Sequence, residues 1–458
     1  MSFSPNPYSN RRSAMSKLEN KTFDSKVSRR DLIKLFGASA VAATGIFGAN
    51  KKAFAKSAPH VVVLGGGVGG STFAKYLRFA DANVKITIIE QFPEYITCLR
   101  SNDVIVGMHT LDELTFNLDT IQNKYHVNVM IDKVIGADFD QKTVRTAKGD
   151  TVHYDQLVVS PGIDFKFEDY EGHSKELAES KIFHGYKAGP QTLALRRQLL
   201  SVPQGGTAII ATPQNPFRCP PGPYERASFF AEHFKKHNPT GKVIVLDPKD
   251  RFTKDGPFKK AWERLYGYQT DNALIEWVSG SDGGKVVRVD GNNNLVETEF
   301  AGTFQADMIN LIPNQRAGKL AQKLGLTNSS GWCPIKRESF ESERHPDVYV
   351  LGDATIADAM PKSGYSANSQ AKVCAQAVAD KLNDRQLGKA IYSNVCYSLA
   401  GENYGVSIAA IYEVRDGLIQ PKGKSAGVSP ITDKVAQPIL EAVYQKNWQR
   451  EFVKDVFS

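Results

Sequence analysis

Three cysteines sit where loop residues surround them. Cys219 lies in PFRCPPGPYERA (residues 216–227), between an arginine and a Pro-Pro-Gly corner. Cys333 lies in SSGWCPI, and Cys98 in PEYITCLRSNDVI. Proline fixes φ and removes a backbone donor, so Cys219 and Cys333, each followed by proline, read as loop residues. A sulfur held in a stiff turn suits thiol–disulfide exchange, and a plain structural bridge between Cys219 and Cys333 reads equally well from the residues alone. Cys374, in AKVCAQAVAD, has helical spacing among small apolar residues and reads as a packed core thiol. Cys396, in SNVCYSLA, reads as structural. Five cysteines leave at least one outside any intramolecular bridge. There is no CxxC, no CxxCH and no clustered Cys/His spacing, so neither a metal site nor a haem is expected on this chain.

The elements that must position these sulfurs begin at His60. HVVVL reads as a buried parallel strand, and Gly65, Gly67 and Gly70 follow it as GxGxxG. An amphipathic stretch comes next, then a second apolar run ending at Glu90, 25 residues beyond the first glycine. The glycines permit a tight turn and close approach of a pyrophosphate to a helix N-terminus, and Glu90 stands where a ribose-binding carboxylate belongs. Such a motif near the start of the mature chain is placed as the FAD motif of flavoproteins that have two dinucleotide domains. Late in the chain, VYVLGDATIAD (348–358) runs a strand into Gly-Asp and offers Asp353 to the ribityl chain or pyrophosphate.

A second βα unit starts near Gly206 as GTAIIATPQNP. Its strand leads into Thr212-Pro213-Gln214-Asn215-Pro216, without the glycines that a nicotinamide nucleotide needs. A pyridine nucleotide is therefore a poor donor or acceptor here. The expected fold is α/β: two dinucleotide-binding, Rossmann-like domains of the glutathione-reductase type, with a small α+β C-terminal domain. The FAD-binding domain is expected over 59–185 and again over 306–385, the second nucleotide-binding-like domain over 186–305, and the C-terminal domain over 386–458.

The formal charge of +8 is unevenly placed. Residues 1–55 hold ten Lys or Arg and three Asp or Glu, a net of +7, so the remainder is about neutral. That excludes most of the electrostatic case for nucleic-acid binding. Within this stretch, Arg29-Arg30 precedes a short apolar run and an AFA at Ala53–Ala55. The pattern is that of a twin-arginine leader, cleaved after Ala55, which exports a folded, cofactor-loaded protein. The apolar run is too short and too rich in glycine and alanine for a span, and no transmembrane segment is expected in the mature chain.

The blocks VVVLGGGVGG, YITCLRSNDVI, PFRCPPGPYERAS, INLIPNQRAGKLAQKLGLT, GWCPI, VYVLGDA, MPKSGYSANSQAKV and YGVSIAAIY together resemble the flavoprotein subunit of flavocytochrome c sulfide dehydrogenase over nearly the whole mature chain. That resemblance implies FAD held covalently by a thioether at Cys98, and a redox-active disulfide of Cys219 and Cys333 beside the flavin. It implies sulfide as substrate, a periplasmic location, and a heterodimer with a c-type cytochrome subunit that carries the haem and docks on the C-terminal domain. The chain departs from relatives at Leu99, where they can carry an aromatic, and in the extra thiol Cys374. Arg218 is a candidate to favour a nearby thiolate, Lys362 to approach the flavin pyrimidine, and Trp332 to shield the disulfide. Each has an ordinary surface or packing reading beside it. The alternatives are a sulfide:quinone oxidoreductase, a pyridine-nucleotide disulfide reductase, and a flavin-bearing assembly protein without catalysis.

Overall fold

A computed structural model describes residues 58–458; the leader expected over residues 1–55 lies outside the described residues. Strand β1 (His60–Leu64), helix α1 (Val68–Ala80) and strand β2 (Lys85–Glu90) form the opening unit. Val61, Val62, Val63 and Leu64 are wholly buried. A parallel strand covered on both faces has no solvent side, which is why its sequence is continuously apolar. Burying each such side chain contributes roughly 1.5–3 kcal/mol. Strand β3 (Asn128–Ile131) extends the sheet beyond β2, while β4 (Gln156–Val159) and then Val348–Val350 extend it beyond β1. All four pairings are parallel.

The chain leaves this sheet along Ile163–Lys166 and returns along Asn314–Ala317, and these two segments pair antiparallel. Between them lies the second Rossmann-like unit: β5 (Thr207–Ala211), α2 (Gly222–His237), β6 (Lys242–Leu246), α3 (Asp255–Tyr266), β7 (Ile275–Val278) and β8 (Met308–Leu311). Its four-stranded parallel order is β7-β6-β5-β8. The boundary expected at residue 305 is therefore too early. Met308–Leu311 pairs with β5, Ala208 opposite Met308, and belongs to the second sheet.

Helix α4 (Gly364–Leu382) begins at Gly364 because Ser363 caps it: the Ser366 amide donates to Ser363 Oγ at 3.0 Å. It packs along α1, and Asn368 Nδ2 donates to Thr72 Oγ1 at 3.1 Å. The C-terminal segment is α+β, as expected. Strands β9 (Ile391–Gly401) and β10 (Tyr404–Arg415) pair antiparallel with Leu418–Pro421 following, and helix α5 (Ala436–Phe457) closes the chain. It is not a body of its own. Residues 58–458 form one compact unit, and Phe229 of α2, Leu399 of β9 and Ala442 of α5 share one apolar cluster.

Arg226, on α2 and 1% exposed, ties these parts together. Its guanidinium donates to Asn102 Oδ1 (3.0 Å), to the carbonyls of His184 (2.7 Å) and Gly185 (2.8 Å), and to Asn310 Oδ1 on β8 (2.8 Å). Every partner is a neutral oxygen, and burial lowers its pKa to about 10.

Nearby, two histidines lie in an aromatic nest of Phe165, Phe167 and Tyr170. Neither ring nitrogen of His173 has a hydrogen-bond partner, whereas His184 Nδ1 accepts from the Tyr186 amide. Burial depresses His173 to about 4 and, with help from Arg226 and Arg218, His184 to about 3. A folded-state value below the ordinary 6.5 means the unfolded chain binds more protons, so the stability these rings contribute is complete above about 6.5 and is lost as pH falls from there toward 4 and 3. The expected outcome is that His173→Phe shows a smaller drop in Tm between pH 7 and pH 4 than the parent. Equal drops would remove His173 from the account.

Candidate functional site

The glycine turn is built for a close ligand. Gly65 has φ of 100°, and a Cβ on Gly70 would stand 1.9 Å from the Gly65 carbonyl oxygen. The Gly66 amide donates to Glu90 Oε2 at 2.7 Å, which places that carboxylate beside the turn. Gly67 caps α1 without any side-chain hydrogen bond, so the first amides of α1 face the turn free of a side-chain acceptor. At the end of Val348–Val350, Asp353 lies in a short 3₁₀ turn, and its buried Oδ1 has no hydrogen-bond partner. Burial raises its pKa, opposed by Arg218 and Lys362. A buried carboxylate oxygen without a donor suits a ligand hydroxyl. Gly65, Gly67, Gly70, Glu90 and Asp353 thus all lie at the C-terminal edge of one parallel sheet, where a dinucleotide belongs, and the residues fit FAD.

The sulfur site adjoins that cleft. Arg218 is partly buried; burial lowers its pKa, but Cys98, Asp353, Tyr95 and Cys219 together raise it above the ordinary value. One guanidinium therefore stands in the field of Cys98, Asp353 and Cys219 at once. It donates to the Tyr186 carbonyl, and Cys98 Sγ lies 4.0 Å from that same oxygen.

Cys219 sits in a left-handed backbone conformation, φ 55°. For a residue other than glycine this costs about 1–2 kcal/mol. The turn is held from three sides: the Cys219 amide donates to the Lys362 carbonyl (2.8 Å), and its carbonyl accepts from the Gly222 amide (2.9 Å) and Tyr186 Oη (3.0 Å). The stiff Pro-Pro-Gly corner thus presents a sulfur at the start of α2. Burial raises the Cys219 thiol; after burial the strongest influence is the Cys396 sulfur and then Glu225, both raising it, while Arg218 and Lys254 oppose.

Among the cysteines, the one whose charge acts on Cys219 is Cys396, and helix α2, which starts beside Cys219, is tied to the Cys396 strand by the Leu399 amide donating to Glu225 Oε1 (2.9 Å), whereas Cys219 is not among the groups that act on the expected partner, Cys333. Cys333 is fully buried in the core of the first sheet, its amide bonded to the Ala354 carbonyl and its own carbonyl to the Ile356 amide. Burial pushes its thiol up to about 12, and the charged groups acting on it are Lys362 and Arg344. The strand sequence of Cys396 reads as structural; it is on β9 and partly exposed, with Lys254 Nζ 3.8 Å from its sulfur. All five cysteines are free thiols in the structure, and Cys374 is a fully buried core thiol, as expected. Lys362 is half-buried, its Nζ donating to the carbonyls of Asp353 (2.9 Å) and Thr355 (2.6 Å) and lying 3.8 Å from the Trp332 ring centroid. Trp332 therefore packs on a lysine beside the Asp353 turn.

Sequence reasoning missed Glu225 and Lys254. Glu225 is one turn along α2, in the same PPGPYERA block; its Oε1 accepts from the Leu399 amide and its Oε2 from Asn102 Nδ2, both at 2.9 Å. Burial raises its carboxyl, and these hydrogen bonds and Lys254 oppose. Its place beside cysteine on a helix start was a usable signal. Lys254 and Cys396 carried none, since their meeting depends on the β9–α3 contact.

The second nucleotide position is filled from within. Asp247, at the end of β6, accepts from Thr212 Oγ1 (2.9 Å), Tyr224 Oη (2.5 Å) and Trp277 Nε1 (3.0 Å), and pairs with Lys249 Nζ at 2.7 Å. A cavity of about 250 Å³ remains between Asn215, Phe217 and Pro220 on one side and Lys249, Arg251 and Phe252 on the other.

Comparison with known proteins places the chain among flavoproteins of this fold. Residues 192–313 match the family model "Sulfide dehydrogenase [flavocytochrome c] flavoprotein chain, central", residues 388–457 match "Flavocytochrome c sulphide dehydrogenase, flavin-binding", and residues 59–210 match "Pyridine nucleotide-disulphide oxidoreductase". A sulfide dehydrogenase [flavocytochrome c] flavoprotein chain of Chlorobaculum thiosulfatiphilum is 48% identical over 44 residues, 10% of this chain and 92% of that short sequence. A sulfide-quinone reductase of Aquifex aeolicus is 25% identical over 390 residues, 81% of this chain and 88% of its own. Mitochondrial sulfide:quinone oxidoreductase of Mus musculus is 24% identical over 318 residues, 66% of either chain. Among solved structures, the sulfide:quinone oxidoreductase of Aquifex aeolicus superposes with a TM-score of 0.68 at 19% identity, covering 87% of this chain and 92% of its own, a likeness of fold. The fold is that of a dinucleotide-binding flavoprotein.

Gly70→Val is expected to yield protein without FAD absorbance, since the side chain would occupy the Gly65 carbonyl position. Asp353→Asn is expected to retain FAD less tightly, read as flavin lost on dialysis after mild denaturant. Full retention in both would displace the site.

Proposed function

We propose a function from one premise: this chain belongs to the flavoprotein family of flavocytochrome c sulfide dehydrogenases. It oxidises sulfide with FAD, and the observation that carries this reading is that Cys219, at the start of α2, and Cys396, on β9, belong to elements joined by the Glu225–Leu399 hydrogen bond next to the dinucleotide cleft. As a disulfide, the pair presents an electrophilic sulfur to HS⁻. Attack makes a persulfide at one cysteine and frees the other as thiolate; one S–S bond forms as another breaks, and the electron pair of the broken bond stays on the freed sulfur. Bound FAD supplies a two-electron acceptor that can be reoxidised one electron at a time. Glu225, a carboxyl raised by burial, is the proton-holding group next to Cys219. Arg218 holds negative charge near both Cys98 and Cys219.

In the same reading Cys98 anchors the flavin by a thioether, the protein works in the periplasm after twin-arginine export, and a c-type cytochrome subunit carries the haem and takes the electrons. The surface at α5 supports a docked partner: Ile431, Val435, Ile439, Leu440 and Val443 are all exposed, and 435, 439 and 443 share one helical face. That apolar face, and relatives named for quinone, favour a second reading in which the acceptor is membrane quinone. Among the described residues no helix is long and apolar enough to cross a membrane.

The test is anaerobic mixing of FAD-loaded protein with sulfide. The expected outcome is bleaching of the flavin, reversed by oxidised cytochrome c; reversal by a quinone analogue alone would select the second reading, and no bleaching would end both. Cys219→Ser and Cys396→Ser are each expected to abolish the bleaching while keeping FAD, whereas Cys333→Ser bleaches like the parent. Bleaching lost in Cys333→Ser and kept in Cys396→Ser would reverse the assignment. Cys98→Ser is expected to release its flavin on acid precipitation, which the parent retains.

A further inference from the structure

Lys254 opens helix α3 in a left-handed conformation, φ 66°, and is 4% exposed. Its Nζ donates to Ser398 Oγ (2.9 Å) and to the carbonyls of Cys396 (3.2 Å) and Val406 (3.3 Å), and it lies 3.8 Å from Cys396 Sγ. These partners all come from the β9–β10 hairpin. Among the described residues, no carboxylate lies within 4.0 Å of this ammonium. A buried cation is ordinarily matched by an anion, because neutral oxygens repay only part of its lost hydration. The group touching Nζ that can carry negative charge is the Cys396 sulfur. The other ionisable groups of the cluster stand further along: Cys219 on its turn, Arg218 next to it, and Glu225 on α2, whose two oxygens are already taken by Leu399 and Asn102.

We propose that Lys254 is the cation that holds the Cys396 sulfur as a thiolate, and so makes Cys396 the sulfur expelled when the pair is opened. The assignment rests on the pairing of Cys219 with Cys396 given above. In the step, HS⁻ bonds to Cys219 Sγ, the Cys219–Cys396 bond breaks, and its electron pair remains on Cys396 Sγ against the ammonium. The charge of the incoming anion is conserved, and no further reactant is needed. A leaving sulfur whose anion is stabilised departs faster, which gives the exchange a direction: persulfide on Cys219, thiolate on Cys396. Cys219, whose anion burial disfavours more strongly than Arg218 and Lys254 favour it, is the poorer leaving sulfur.

The experiment uses the FAD-loaded Cys219→Ser protein, in which Cys396 cannot be bridged to its partner. Its alkylation by iodoacetamide is followed at the Cys396 peptide by mass spectrometry across pH 6 to 9. The expected result is a rate nearly independent of pH over that span, since the thiolate is already formed. A rate climbing about tenfold per unit up to about pH 8.5, as for an ordinary thiol, would overturn the proposal without any change at Lys254. In the same background, Lys254→Gln keeps hydrogen-bond donors but loses the charge. It is expected to slow alkylation at pH 7 about tenfold or more and to restore an ordinary thiol profile, while Lys254→Arg recovers the parent rate. An unchanged rate in Lys254→Gln that still holds FAD would reduce Lys254 to a strand staple. These readouts need no sulfide. If native protein fails to bleach with sulfide and the alkylation still depends on Lys254, the sulfide reading falls and the thiolate assignment stands.

Discussion

The arrangement depends on one buried guanidinium. Arg226 reaches the first domain through Asn102, the connecting segment through the His184 and Gly185 carbonyls, and the second sheet through Asn310. A cation sealed from water must find fixed oxygens, and these oxygens belong to segments far apart in sequence. Satisfying it therefore sets where the start of α2 stands against the dinucleotide cleft. Cys219 lies at that start and inherits the position. The strain of its left-handed backbone is held by main-chain bonds to Lys362 and Gly222, so the sulfur is placed by the scaffold rather than by a mobile loop.

Around that sulfur, charge is distributed on two sides. Toward the dinucleotide cleft stand Arg218, Asp353 and Lys362; toward the C-terminal hairpin stand Lys254, Glu225 and Cys396. Both groups are largely shielded from water, where each charge acts more strongly than at a surface. Burial drives the Cys219 thiol, Glu225 and Asp353 toward their neutral forms, and the neighbouring cations pull them back. Opposed influences of this kind are what let a small change, such as the arrival of an anion, redistribute protons.

Much of the fold was legible because it rests on local patterns. The HVVVL run, the glycines 65, 67 and 70, and Glu90 announced the first βα unit, and the missing glycines after Ala211 announced an altered second one. The end of the second unit was misplaced because Met308–Leu311 looks like any buried strand, and only its pairing with β5 assigns it. The sulfur pair failed for the same reason in a sharper form. Cys219 and Cys333 share a Cys-Pro signature, but that signature describes a turn and says nothing of what the turn faces. Cys396 sits in ordinary strand sequence, and its approach to Cys219 is a product of β9 packing on α2, through Leu399 and Phe229 among others.

Asp247 carries a consequence of a different kind. Its carboxylate, at the strand end where a second ribose would seek a partner, is already saturated by Thr212, Tyr224, Trp277 and Lys249. Grafting a glycine-rich turn after β5 would not, by itself, open this domain to a nicotinamide coenzyme. Four side chains on four different segments would have to retreat together. The second domain is thereby insulated from the cell's soluble reductant pool by its own interior, and redesign of coenzyme preference would have to begin at that carboxylate.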